Sequence, residues 1–185
     1  MRRVPWFVIV VLILSAPAAW AADYAGRVGL GYFTADAPIG FRYWLSSSIG
    51  LDAGVGFDSR DELNEATADP VDEVALTDFS VDVGIPINLV MRTRTNLFFR
   101  PGLTYSTRPQ FVGPEGGLKS RKKETAMDFS GVLGVEFWLW DHLSLSVGHG
   151  VSYVVTTPAD PDVESHFNLR HRALTLSNVG FHFYF

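Results

Sequence analysis

The chain has 185 residues, 14% of them aromatic, no Cys and a formal charge of −5. Lack of Cys excludes disulfides, a lipoprotein attachment site and thiolate metal ligands, while the acidic balance excludes nucleic acid, which would require a basic face. The length suits one domain, and no Pro- or Ser-rich linker divides it.

In chain order, Arg2 and Arg3 precede an apolar run from 4 to 14, and Ser15, Ala16, Pro17, Ala18, Ala19, Trp20, Ala21 and Ala22 follow as a stretch rich in small residues. This is the layout of a secretory signal peptide at 1–22, leaving a domain at 23–185. The competing reading is an uncleaved anchor, but the apolar run is short beside the roughly 20 residues a helical span needs. Removing the two Arg takes the formal charge from −5 to −7.

Eight segments then alternate apolar and polar residues: 24–33, 39–46, 49–58, 78–90, 96–106, 126–140, 142–155 and 172–185. Period-two alternation is the mark of a strand with two unlike faces, and each segment is long enough, or nearly so, for the roughly 9 to 11 residues of a tilted transmembrane strand. The fourth is the clearest, with Phe79, Val81, Val83, Ile85, Ile87 and Leu89 on one face against Asp78, Ser80, Asp82, Gly84 and Asn88. No segment has the period of an amphipathic helix. The connections sort by length: 46–48, 91–95 and 140–142 are short and fall at every second position, whereas of the others, 34–38, 59–77, 107–125 and 156–171, three are long. Short periplasmic turns alternating with longer outer loops are expected of a membrane barrel, and a soluble sandwich has no reason to sort them.

The last strand places Val179, Phe181, Phe183 and the terminal Phe185 on one face. That ending resembles the signal by which the barrel-assembly machinery recognises its substrates. Along most of 23–185 the chain resembles the small outer-membrane β-barrel proteins, a class that includes OmpA- and OmpX-like barrels. The resemblance implies an all-β, eight-stranded antiparallel up-and-down transmembrane barrel in the outer membrane of a Gram-negative bacterium, exported through the periplasm. It also implies outer-membrane lipid and lipopolysaccharide as surroundings. It carries no catalytic motif, so function has to be read from sites.

On the inward parity stand Arg27, Arg42, Arg100, Asp52, Asp82, Asp128 and Glu136. An eight-stranded interior is just wide enough for side chains to fill, and charges buried there must pair. These residues are therefore expected to form a lumen ion-pair network, with Arg42, Arg100, Asp82 and Glu136 central and Trp44 and Trp138 adding bulk. The alternative is a narrow ion path, which mixed charge signs disfavour.

His149 lies on the apolar parity between Val147 and Val151. Barrels that deacylate lipid A use a His and a Ser on one strand in a His-x-Ser pattern. Here Ser152 stands three residues on, which puts the two on opposite faces unless a bulge at Gly148 or Gly150 shifts the register. A catalytic site is not expected.

The second outer connection, 59–77 with its flank, is acidic, with Asp58, Asp61, Glu62, Glu65, Asp69, Asp72 and Glu73 against only Arg60, and the third, 107–125, is basic, with Arg108, Lys119, Arg121, Lys122 and Lys123 against Glu115 and Glu124. Charge runs of this kind are usually solvated surface; opposite charge on two outer loops would also suit a clamp, or divalent cations on the acidic loop and lipopolysaccharide phosphates on the basic one. The basic group Lys119, Arg121, Lys122 and Lys123 is the candidate phosphate-binding loop, and the acidic stretch lacks the spacing of an EF-hand. The expectation is a non-catalytic barrel with a structural or surface-interaction role, needing no cofactor or metal. A lipid-modifying enzyme is the runner-up.

Overall fold

The computed structural model describes residues 25–34, 36–64, 72–112, 120–159, 166–172 and 179–185. The signal peptide read at 1–22, and Lys119 of the basic group, lie outside these residues. Among the described residues none is helical; the strands are β1 (Val28–Tyr32), β2 (Ile39–Trp44), β3 (Gly50–Asn64), β4 (Asp72–Gly84), β5 (Ile87–Met91), β6 (Thr95–Val112), β7 (Ser120–Trp140), β8 (Leu143–Thr157), β9 (His166–Arg172) and β10 (Val179–Tyr184).

All pairings are antiparallel, and β10 lies between β8 and β1, so that Phe183 is in register with both Leu143 and Leu30. That double pairing closes the sheet and removes its edges. β5 continues the line of β4 along β6, and β9 and β10 both run along β8, so ten strands occupy eight wall positions. The fold is a closed, eight-stranded antiparallel barrel.

The break between β4 and β5 falls at Pro86, which has no N–H for the ladder. The wall does not turn away there. Ile85 N still donates to Pro101 O at 3.0 Å, and the outward-inward alternation continues, with Val83 and Ile85 exposed and Gly84 and Pro86 buried.

Burial is inverted relative to a protein folded around an oily core. Leu30, Phe129, Leu133 and Phe181 are each about half exposed, whereas Asp52 and Glu136 are fully buried. An apolar outer face continuous around the wall is stable only against hydrocarbon. Tyr43, Trp140 and Phe185 stand exposed at the short-turn end, and Phe57, Tyr105 and Tyr153 at the other, matching the aromatic girdles of a membrane band.

Strand pairing runs further than the apolar pattern. β3 and β4 remain in register to Asn64 and Asp72, and β6 and β7 to Val112 and Ser120. The connections expected at 59–77 and 107–125 are therefore mostly strand, projecting past the apolar band. Beyond that band both faces meet water, so no apolar face is needed and alternation stops while the cross-strand hydrogen bonds continue. The closing strand expected over 172–185 appears as β10 from Val179, and 173–178 lie outside the described residues.

Candidate functional site

Register alone brings the first charges together. Arg42 on β2 is the cross-strand partner of Asp52 on β3, and its guanidinium donates from Nε to Oδ1 at 2.7 Å and from Nη2 to Oδ2 at 2.9 Å. Asp52 Oδ2 also accepts from Arg100 Nε on β6 at 2.8 Å, and Arg100 Nη2 reaches Asp82 on β4. The second oxygen of Asp82 accepts from the Thr104 hydroxyl at 2.8 Å. In the other direction Arg42 Nη1 donates to Glu136 Oε1 on β7 at 3.3 Å, an oxygen that also accepts from Ser144 at 2.6 Å and Tyr184 at 3.0 Å. The chain Asp82, Arg100, Asp52, Arg42, Glu136 thus ties five wall strands through the centre of the barrel.

Small and aromatic residues shape the space around it. A Cβ on Gly84 would meet the Arg100 guanidinium, so the close approach of that side chain to the wall requires glycine. The Arg42 guanidinium lies over the rings of Phe33, Trp44 and Phe98 at 5.5 to 5.8 Å, contacts that favour a desolvated cation. Toward the short turns Trp44, Trp138 and Tyr184 form an apolar floor, with Trp138 and Tyr184 ring centroids 4.6 Å apart.

Toward the long hairpins the lumen opens into a cavity of about 320 Å³ whose lining includes Asp36, Asp78, Ser80, Thr104, Glu124 and Asp128. The connection after β1 bends into this mouth: Asp36 O accepts from the Ser80 hydroxyl, and Ala37 is fully buried. At the rim Asp78 Oδ2 accepts from Arg60 Nη1 at 2.7 Å and from Arg108 Nε at 3.1 Å, and Arg60 Nη2 also donates to Pro109 O at 2.8 Å. The two hairpins are thus linked through Arg108 to Asp78 and through Arg60 to the Pro109 carbonyl.

Of the seven lumen residues read from parity, five join the central network: Arg42, Arg100, Asp52, Asp82 and Glu136. Two do not. Arg27 is half-buried at the short-turn end, where it donates to Asp141 O at 2.9 Å and lies over Trp138. Asp128 lines the outer cavity, one inward step above Ser130 on β7. Parity gives the face but not the height along the strand, which depends on register with neighbours.

The basic group is not a loop. Arg121, Lys122 and Lys123 lie on β7, opposite Phe111, Gln110 and Pro109, so Arg121 and Lys123 share the outward face and Lys122 takes the inward one. His149 is exposed on the outer wall and Ser152 is buried in the lumen. The pairing of β7 with β8 is unbroken past Gly148 and Gly150, so no bulge brings the two to one face.

His182, Tyr184 and Ser144 belong to the lumen but formed no motif in the sequence. His182 Nδ1 lies 3.4 Å from Glu136 Oε1 and 3.3 Å from the Ser144 hydroxyl. The signal for His182 and Tyr184 was present in the closing strand, where they alternate with Phe181, Phe183 and Phe185, and that for Ser144 in its place between Leu143 and Leu145. Among the described residues, no group of three or more His, Asp or Glu is placed to hold a metal.

A family model for the outer membrane protein β-barrel domain matches residues 7–177, most of the chain. The chain belongs to that family. Outer-membrane location follows, and the aromatic girdles become the two borders of the lipid band. Among curated proteins, and among solved structures, nothing matches the chain.

Proposed function

We propose that this protein is a non-catalytic, plugged barrel of a Gram-negative outer membrane, exported through the periplasm, with a structural or surface-interaction role. The observation that carries this reading is the buried chain from Asp82 to Glu136, which spans the lumen with every charge paired to at least one of opposite sign. Two guanidiniums set among three carboxylates leave one negative charge in excess, on a network where Glu136 also accepts from Ser144 and Tyr184, so the constriction offers a passing ion side chains engaged with one another and charges of both signs. Short turns and both described ends then lie at the periplasmic side, and the clamped hairpins project outward as the surface available to partners. The exposed terminal Phe185 beside the closing strand suits recognition by the barrel-assembly machinery.

The separation of His149 from Ser152 supports the non-catalytic reading. A narrow channel is the second reading, favoured by the 320 Å³ outer cavity and by a smaller one of about 40 Å³ below it, lined by Phe33, Arg42, Arg100, Ser146 and His182. Planar-bilayer recording of the purified protein separates the two. The plug gives a silent bilayer; discrete conductance steps whose ion selectivity changes in Glu136→Gln would replace it with the channel.

A further inference from the structure

The outward face of β6, β7 and β8 is uncharged over the whole apolar band. Its only Lys, Arg, Asp or Glu residues are Arg121 and Lys123, both exposed and both past the outer girdle. Register orders the approach to them. Tyr105, Met127 and Val155 stand in one cross-strand row; Thr107, Thr125 and Thr157 form the next outward row; Lys123 follows beside Pro109, and Arg121 beside Phe111.

Lys123 is four residues beyond Met127, which at about 3.4 Å per residue and a tilt of about 40° sets it on the order of 10 Å above the last apolar row. That is where the headgroups of the outer leaflet begin. Two cations of different geometry above a row of hydroxyls, with no acid on the same face of these strands, form a surface that attracts phosphate. Among the described residues the carboxylates lie instead in the lumen, at its mouth and on the β3–β4 hairpin, apart from Asp141 at the short-turn end.

We propose that Arg121 and Lys123 form a binding site for the phosphate groups of outer-leaflet lipid A, with the threonine row as secondary donors. The site holds lipid against the outside of the wall, on strand rather than loop, while Lys122 faces inward and takes no part. This rests on the long hairpins being external. It needs neither the plug nor the absence of conduction.

The test uses the full folded protein in detergent with bisphosphorylated lipid A as probe, and with lipid A stripped of phosphate and inorganic phosphate as comparisons. At about a tenfold loss for each 1.4 kcal/mol and about 1 kcal/mol per basic residue, Arg121→Gln with Lys123→Gln should weaken binding roughly 30-fold. Lys122→Gln should leave it unchanged, and the charge-keeping pair Arg121→Lys with Lys123→Arg should stay within about threefold of the parent. Heat-modifiable gel migration verifies folding; if the double variant misfolds, Lys123→Gln alone should still show about a fivefold loss. Equal binding of phosphate-free lipid A overturns the proposal, as does an equal loss in Lys122→Gln or displacement of the lipid by millimolar inorganic phosphate. Labelling of Arg121→Cys on intact cells by a membrane-impermeant thiol reagent tests orientation separately. Absence of label would sink the external reading even where detergent binding persisted.

Discussion

Arg42 and Asp52 sit directly opposite each other on neighbouring strands, and their side chains close a two-point ion pair at 2.7 and 2.9 Å in the middle of the barrel. The hairpin that joins β2 to β3 therefore forms the first element of the central charge network by itself. The rest of the central network attaches to it: Arg100 through the same carboxylate, Glu136 through the same guanidinium.

Because Asp52 serves two guanidiniums and Glu136 only one, the two carboxylates should differ in a stability measurement. Asp52→Asn is expected to destabilise the barrel by about 3 to 5 kcal/mol, since it weakens the pairing of two buried cations at once. Glu136→Gln should cost about 1 to 3 kcal/mol. Adding Arg100→Met to Asp52→Asn should recover part of the loss, because one of the stranded charges is then gone. Urea unfolding from lipid vesicles, followed by tryptophan fluorescence, measures all three; additive effects would mean that the groups do not act as a network.

Gly84 is expected to be as sensitive as a charged residue. A methyl there meets the Arg100 guanidinium, so Gly84→Ala should destabilise by about 1 to 3 kcal/mol through overpacking. The cost should fall when Arg100 is also shortened. A double-mutant cycle on Gly84→Ala and Arg100→Ala in the same unfolding assay checks this, and zero coupling would contradict the contact.

Depth governs the outer wall. Val83 faces outward near the middle of the apolar row that runs from Phe79 to Leu89 along β4 and β5, so Val83→Arg should cost about 2 to 4 kcal/mol, whereas Thr77→Arg, past the girdle on the same strand and face, should cost about 0 to 1 kcal/mol. Equal costs at the two positions, measured by folding into vesicles, would show that this face meets protein instead of lipid.

The rim clamp should matter locally. Asp78 holds Arg60 and Arg108 where solvent reaches the pair, so Asp78→Asn should change global stability by less than about 1 kcal/mol. Releasing Arg60 and Arg108 should nonetheless speed proteolysis within 59–77 and 107–125 by severalfold at constant barrel stability. Cleavage rates identical to the parent would remove the clamp's role.

The sequence by itself determined the wall. Period-two alternation, the sorting of connections and the aromatic closing strand identify eight tilted strands and their lipid faces, because a membrane rewards one face of every strand with the same chemistry. Parity also placed Arg42, Asp52, Asp82, Arg100 and Glu136 inside. It could not say that Arg27 and Asp128 sit at opposite ends of the lumen away from them, since height along the axis depends on the stagger of neighbouring strands. Nor could alternation follow β3, β4, β6 and β7 beyond the apolar band, where water bathes both faces. That limit made a loop of Arg121, Lys122 and Lys123, which the pairing of β6 with β7 instead divides between two faces. Only the closed tertiary structure decided which charges meet, because their partners come from strands as far apart in the chain as Arg42 and Glu136.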